Sequence, residues 1–170
     1  MTQPPTKQNN GVNFLPVRRD QRFPPRYNSQ RKPVKGRGLN AMQLIRKVAK
    51  TQLANSQYVQ IKSVQRNKNK PLLKFTTITR EPNQKPRVHV QRIYATDPNY
   101  TGPLYLCPSI RVACDCGNNL FQWEIANAYH GVSDVIYSNG DFPIVTNPSL
   151  RPGCCKHILK CLLFMVYSKL

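Results

Sequence analysis

Four residues in the C-terminal third have the types and the spacing of a metal site. One residue separates Cys114 from Cys116, and one residue separates Cys155 from His157. Three thiolates and one imidazole form a Cys₃His set, a common closed tetrahedral zinc site. Zinc accepts sulfur and nitrogen ligands without a strong geometric preference of its own. The spacing therefore predicts that one Zn²⁺ ion binds all four side chains.

The remaining cysteines provide alternatives for part of this ligand set. Cys154 is adjacent to Cys155 and is the second candidate for pairing with His157. Cys161 lies four residues after His157, on the same face of a predicted helix, and could replace it. A small buried residue is the more ordinary interpretation of Cys161, and Cys107 is interpreted as a free buried thiol. The alternative to any metal site is that all six cysteines are buried thiols.

The predicted metal site is structural rather than catalytic. A catalytic zinc needs an open coordination position and a nearby base. Four protein ligands leave no such position, and Asp115 and Glu124 are the only acidic residues close to the ligands in sequence. No nucleophile motif, carboxylate pair or Gly-rich phosphate loop appears elsewhere. We therefore expect that the protein is not an enzyme.

Hydrophobic periodicity predicts the elements that position these ligands. Residues 40–53 carry apolar side chains at helical spacing, with Asn40 as N-cap. Two alternating segments, 58–64 and 87–94, and a segment rich in β-branched and aromatic residues, 72–79, predict an antiparallel meander. Two further segments, 104–107 and 109–116, are predicted to extend its sheet toward the metal. Two C-terminal helices are predicted at 118–129, which Gly131 can end, and from His157 onward. His89 is interpreted as an ordinary strand residue, and 132–153 as an irregular loop.

The predicted fold class is α+β, with a small antiparallel sheet and two or three helices. The predicted organisation has an extended basic arm over residues 1–38 and an amphipathic helix over 39–54. A β-meander with a zinc-stabilised C-terminal domain follows over 55–170, and its metal part spans 104–165.

Basic residues are concentrated in the first half of the chain. The net charge is +19, and residues 1–80 hold 18 Lys/Arg and one acid, while residues 81–170 hold 8 and 6. Such asymmetry indicates a basic arm with a polyanionic partner, or a solvated tail on an acidic assembly.

The arm combines six prolines with aromatic and basic residues. Its composition alone is typical of a disordered tail. Aromatic side chains can also anchor an extended, proline-stiffened segment in the pockets of a partner. The residues predicted to bind a partner in this way are Phe14, Arg18, Arg19, Arg22, Phe23, Arg26 and Tyr27.

The metal-ligand pattern resembles the SWIM-type zinc finger, whose signature is C-x-C followed by C-x-H. In that family a strand or hairpin carries the first pair and a helix N-terminus carries the second. Residues 109–113 alternate like a strand into Cys114, and 157–166 continue as a helix out of His157. The resemblance implies a strand-and-helix zinc fold, interrupted here by a long insert that must form its own small structure.

The insert is similar to virion proteins of tailed bacteriophages. The similarity rests on residues 135–143, 146–148 and 151–153, and with the metal pattern it covers roughly 104–165. It implies a structural virion component of the neck, tail or baseplate, present in several copies beside other virion proteins. The zinc domain would dock in the assembly, and the arm would lace adjacent subunits together.

Nucleic-acid binding through the basic half is the alternative function. Lys and Arg would neutralise phosphates, and Phe23 and Tyr27 would stack on bases. Residues 1–10 are polar and predict no signal peptide, and the apolar run at 161–167 is far too short to span a membrane. We expect a protein made in the host cytoplasm, without a membrane partner, whose cysteines bind metal rather than form disulfides.

Overall fold

The computed structural model describes residues 38–170. The predicted arm and its seven partner-binding residues lie outside the described residues, apart from the arm's last residue, Gly38.

A four-stranded antiparallel sheet forms the framework of the described chain. Its strands follow one another in the order β1-β2-β3-β4, as the meander pattern predicted. Their bounds are β1 Val59–Arg66, β2 Leu72–Thr79, β3 Arg87–Ala95 and β4 Ile110–Cys114. β2 and β3 pair without interruption from Leu72 opposite Tyr94 to Thr79 opposite Arg87. The predicted strand 109–116 therefore ends at Cys114, and Asp115 and Cys116 lie beyond it.

In residues 38–170, four α-helices accompany the sheet and establish the predicted α+β class. They are α1 Ala41–Arg46, α2 Lys50–Asn55, α3 Glu124–Tyr129 and α4 Lys156–Tyr167. Within residues 38–170, none of these helices has the length and apolar character needed to cross a membrane.

The single helix predicted over 40–53 is wrong, because the structure has two short helices there. Asn40 begins α1 with a capping box, since its side chain accepts from the Gln43 N–H while the Gln43 side chain accepts from the Asn40 N–H. Ala49 then adopts an extended conformation and is the N-cap of α2. Both helices contact α4. The break leaves Leu53, a predicted stripe residue, 55% exposed.

One further element prediction is corrected by local chemistry. Residues 104–107 were expected to extend the sheet, but Leu104–Leu106 form a 3₁₀ turn. Pro103 and Pro108 flank this turn, and neither has an N–H to donate to a strand ladder. The helix predicted over 118–129 is present, and it contains a π-helical turn at Asn119–Trp123 before the α-helical segment Glu124–Tyr129.

The core lies between the inner face of the sheet and α4. Phe75 and Ile93 are fully buried on that face, and the Phe75 ring meets Phe164 of α4 edge-on at a centroid distance of 6.3 Å. Alternation along the strands places Lys74 and Arg92 on the opposite, outer face. Because α4 covers the inner face, the N-terminus of this helix reaches the end of β4.

Candidate metal centre

Four side chains meet where the end of β4 faces the start of α4. Cys114 is the last residue of β4, and Cys116 follows it in the turn before the π-helical segment. Cys155 is the N-cap of α4, and His157 lies in the first turn of that helix. The candidate ligand atoms of this four-residue cluster all lie within 4.8 Å of one another, and all four residues are buried. The structure thus brings together the residues of the C-x-C and C-x-H pairs.

The spacing of the donor atoms suits a single metal ion. A tetrahedral ion with bonds of about 2.3 Å to sulfur and 2.0 Å to nitrogen separates its ligand atoms by roughly 3.5–3.8 Å. The Cys114 sulfur lies 3.9 Å from Nδ1 of His157. Sulfur and imidazole donors are the set that soft and borderline transition metals prefer. The cluster therefore fits a metal ion such as zinc, with only a small contraction around it.

A hydrogen bond orients the imidazole of His157. Its Nε2 lies 2.8 Å from the hydroxyl oxygen of Thr79, while Nδ1 faces the Cys114 sulfur. If the Nε2–H donates to Thr79, the Nδ1 lone pair is free to bind a metal. Metal-binding histidines are generally oriented by a hydrogen bond of this kind at the second nitrogen.

Each of the three sulfurs of the cluster also receives an N–H group. The backbone N–H of Asn119 donates to Cys116 at 3.4 Å, and that of Ile158 donates to Cys155 at 3.5 Å. The Gln91 side-chain amide donates to Cys114 at 3.5 Å. Hydrogen bonds to a thiolate favour its charged form. The surrounding backbone and Gln91 are thus arranged for sulfurs that carry negative charge.

Burial and mutual hydrogen bonds shift the pKa of each of the three thiols. Burial raises the pKa of Cys114 and of Cys155 above the ordinary thiol value. Hydrogen bonds from the Cys114 and Cys155 thiols lower the pKa of Cys116. Burial therefore favours the protonated forms of Cys114 and Cys155, whereas the hydrogen bonds that they donate favour the thiolate form of Cys116. A metal that binds all three sulfurs must displace the remaining protons, so metal affinity falls as pH falls.

The other cysteines lie outside the four-residue cluster. Cys154 is fully buried, and burial raises the pKa of its thiol. Cys161 is buried one turn along α4, where its thiol lies 3.6 Å from the side-chain oxygen of Gln91. Cys107 is buried and donates to the carbonyl of Ser109 at 3.1 Å. The geometry favours Cys155 over Cys154 and His157 over Cys161, and the ligand roles themselves stay predictions.

Sequence reasoning missed the polar residues that surround the cluster. Gln91 is fully buried, donates to Thr77 at 3.0 Å and contacts both Cys114 and Cys161. Thr77, Thr79 and Gln91 all occupy buried inner-face positions of β2 and β3 that alternate with half-buried residues. The sequence signal that could have identified them is a polar side chain at a core position of a strand, because buried polar groups need partners.

His89 and Asp115 form a second polar contact beside the cluster. Nδ1 of His89 lies 2.9 Å from the Asp115 carboxylate, which also accepts from the Val90 N–H at 3.1 Å. The His89 ring packs against the His157 ring at a centroid distance of 4.5 Å. Asp115, the residue between the two cysteines, is therefore bound to β3. His89 was predicted to be an ordinary strand residue, and the structure adds this packing role.

The insert between the ligand pairs is anchored by buried polar side chains of α3. The Glu124 carboxylate is fully buried and accepts the backbone N–H groups of Ile136, Tyr137 and Ser138. The Asn127 side chain donates to the Gly153 carbonyl and accepts from its N–H. These bonds hold the irregular loop against α3 just before Cys155. Glu124 is thus a structural residue that organises the insert.

Comparison with models of protein families, with curated proteins and with solved structures gives no match.

Proposed function

We propose that the four-residue cluster binds Zn²⁺ in a structural role. The donor set, the burial of all four residues and the N–H groups aimed at the sulfurs support this assignment. Zinc, when bound, would supply a cross-link between β4 and α4. Cys114 and Cys116 would hold it from the sheet side, and Cys155 and His157 from the helix side. Four protein ligands leave no position for substrate, so we propose no enzymatic activity.

We further propose that the protein is a structural component of a tailed-phage virion. The supporting observation is that the insert carrying the phage-like stretch is built into the domain around the cluster. Glu124 and Asn127 bind that stretch at its beginning and at its end. A domain held together in this way suits a part that docks rigidly in the neck, tail or baseplate.

Particle composition tests the virion proposal. Phage particles made by the genome that encodes this chain should be purified by density gradient and analysed by quantitative mass spectrometry. We expect the protein in several copies per particle, and a chain lacking residues 1–37 should be absent from the particles. Its complete absence from infectious particles would reject the proposal.

Nucleic-acid binding is the second candidate, and the distribution of charge favours it. Of the 17 Lys and Arg side chains in residues 38–170, Arg111 and Lys156 are the two that form ion pairs with acidic residues of this part of the chain. All six acidic side chains of residues 38–170 accept hydrogen bonds from within it. An excess of cations without internal partners suits a polyanion such as nucleic acid.

Salt dependence separates the two candidates. Binding of the full chain to DNA or RNA that weakens by orders of magnitude between about 50 and 200 mM salt is expected for phosphate recognition. Docking through apolar and aromatic contacts is expected to weaken far less. Deleting residues 1–37 should then show whether phosphate binding depends on the arm or on the described domain.

A further inference from the structure

The outer face of the sheet carries basic side chains in its centre. Lys74 on β2 and Arg92 on β3 alternate with core residues, so both lie on the face opposite α4. They occupy directly paired positions in the β2–β3 ladder, and Gln65 of β1 pairs with Lys74 on its other side. A row of cationic and amide side chains therefore crosses three strands.

This arrangement is unfavourable without an anion. Like charges directly opposite each other on neighbouring strands destabilise a sheet. The four strands contain no Asp or Glu, and neither Lys74 nor Arg92 forms an ion pair within residues 38–170. An external anion placed over the pair would remove the repulsion. The pair is thus better explained by a ligand than by stability of the isolated domain.

A surface cavity of about 460 Å³ adjoins this row and combines charge with apolar surface. Lys70 and Arg92 are the basic side chains of its wall, and no acidic residue of the described chain lines it. The rest of the wall includes apolar and aromatic side chains, among them Pro71, Leu72, Tyr94 and Ile136. Cations beside apolar and aromatic side chains are the combination that binds single-stranded nucleic acids, because the cations contact phosphates and the apolar and aromatic side chains pack against bases.

We infer that the outer face of the sheet binds single-stranded nucleic acid. Lys74, Arg92 and Lys70 contact consecutive phosphates, and bases pack into the cavity against Tyr94. This inference rests on the second candidate function and names its ligand class and surface. The chain's own residues 1–37 carry nine Lys/Arg and one acid, so they do not complement a basic face. The outer face also presents strand side chains rather than a projecting helix of the kind that enters the major groove of a duplex.

Fluorescence anisotropy with the full chain tests the inference. The probe is a labelled oligothymidylate of about 20 nucleotides, long enough to cover one such surface. In the K74Q/R92Q variant, affinity should fall about 25-fold at 0.1 M salt, and the slope of log K against log salt should become shallower by about 1.4, since each single-strand phosphate contact contributes about 0.7. K74R/R92K keeps both charges and should bind like the wild type.

The matched control removes the same charge from the other side of the molecule. Lys47 and Lys50 are exposed on the α1–α2 segment, which packs with α4. The K47Q/K50Q variant should retain affinity within about twofold and keep the full salt slope. Circular dichroism and zinc content check that each variant is folded. If K74Q/R92Q misfolds, Lys74→Gln alone, at an exposed position, should weaken binding about fivefold and reduce the slope by about 0.7.

Each other outcome overturns a defined part of the inference. An equal loss of affinity in both double variants, or no loss of affinity in Lys74→Gln, would reject the outer sheet face as the binding surface. Nucleic-acid binding by the protein itself would then still stand. Equally tight binding of duplex DNA or of inorganic polyphosphate would reject the claim that the ligand is single-stranded nucleic acid. Failure of the wild-type chain to bind any nucleic acid in 50 mM salt removes the second candidate function together with the inference.

Discussion

Cys154 and Cys155 are neighbours in sequence but differ in their surroundings. Cys155 caps α4 and belongs to the four-residue cluster, whereas Cys154 is buried outside it. A metal bound in the cluster would therefore distinguish the two cysteines although their chemistry is identical.

The first prediction concerns this pair. Cys155→Ser should abolish stoichiometric zinc in the purified protein, because a ligand is lost, and Cys154→Ser should retain about one zinc per chain. Inductively coupled plasma mass spectrometry of gel-filtered protein provides the measurement. Zinc loss only in Cys154→Ser would transfer the ligand role to Cys154. Equal loss in both would show that packing dominates at this position.

Gln91 is the buried side chain that connects the cluster to β2 and to α4. Its amide donates to the sulfur of Cys114 and to the hydroxyl of Thr77, and its oxygen faces the Cys161 thiol. It is therefore a positioning residue for the proposed metal ligands.

The second prediction is that Gln91→Leu weakens zinc binding about 10- to 100-fold, the effect typical of losing an outer hydrogen bond to a metal ligand. Leucine has a similar size, so packing changes little. Competition with a chromophoric chelator measures the affinity. Gln65→Leu, at an exposed position of β1, is the control and should bind zinc normally. Unchanged affinity in Gln91→Leu would reject the positioning role.

At the scale of elements, α3 determines the conformation of the insert. Its Glu124 carboxylate replaces water for three successive N–H groups of the loop at 136–138. Residues 130 and 131 then end α3: His130 is its C-cap, and Gly131 has a φ of 71°, a left-handed conformation that favours glycine. The helix end predicted at Gly131 is confirmed.

The third prediction addresses this anchor. Glu124→Gln replaces a carboxylate acceptor by an amide whose NH₂ group faces backbone donors, and leaves a buried N–H unsatisfied. The free energy of unfolding should fall by about 2–4 kcal/mol, the cost of breaking a charge-assisted network. Urea denaturation measures it. Asp97→Asn removes the same charge at an exposed turn and should change stability by less than about 0.5 kcal/mol. Equal stability of the two variants would contradict the anchoring role.

For the whole molecule, the proposed zinc would join the two layers of the fold. The sheet supplies Cys114 and Cys116, and α4 supplies Cys155 and His157. Structural zinc contributes roughly 10–16 kcal/mol of apparent binding free energy, whereas a domain is stable by only about 5–15 kcal/mol. Metal binding is therefore large enough to decide whether the domain is folded.

The fourth prediction follows from this balance. A strong chelator should unfold the domain, as measured by loss of the thermal transition in circular dichroism, and added zinc should restore it. Burial raises the pKa of Cys114 and Cys155, so protons compete with the metal for these sulfurs. Metal affinity is therefore higher at pH 8 than at pH 6, and less chelator should be needed at pH 6. A metal-free protein with an unchanged transition would refute the structural role.

The sequence by itself determined the class of the fold and the candidate ligands. Alternating side chains specified the strands and their meander, and paired cysteines with a histidine specified a cluster, because both patterns are local in sequence. It failed where tertiary contacts compete with propensity. Nothing in residues 40–53 signals the break before Ala49, which lets both α1 and α2 contact α4.

Only the tertiary structure decided which residues complete the site. Gln91 and Thr79 reach the cluster from strands that are far from it along the chain. Cys155 lies in the four-residue cluster, whereas its neighbour Cys154 does not. The pairing of Lys74 with Arg92 depends on the β2–β3 register. Each of these features is a distance between segments remote in sequence, and such distances are established only when the chain packs.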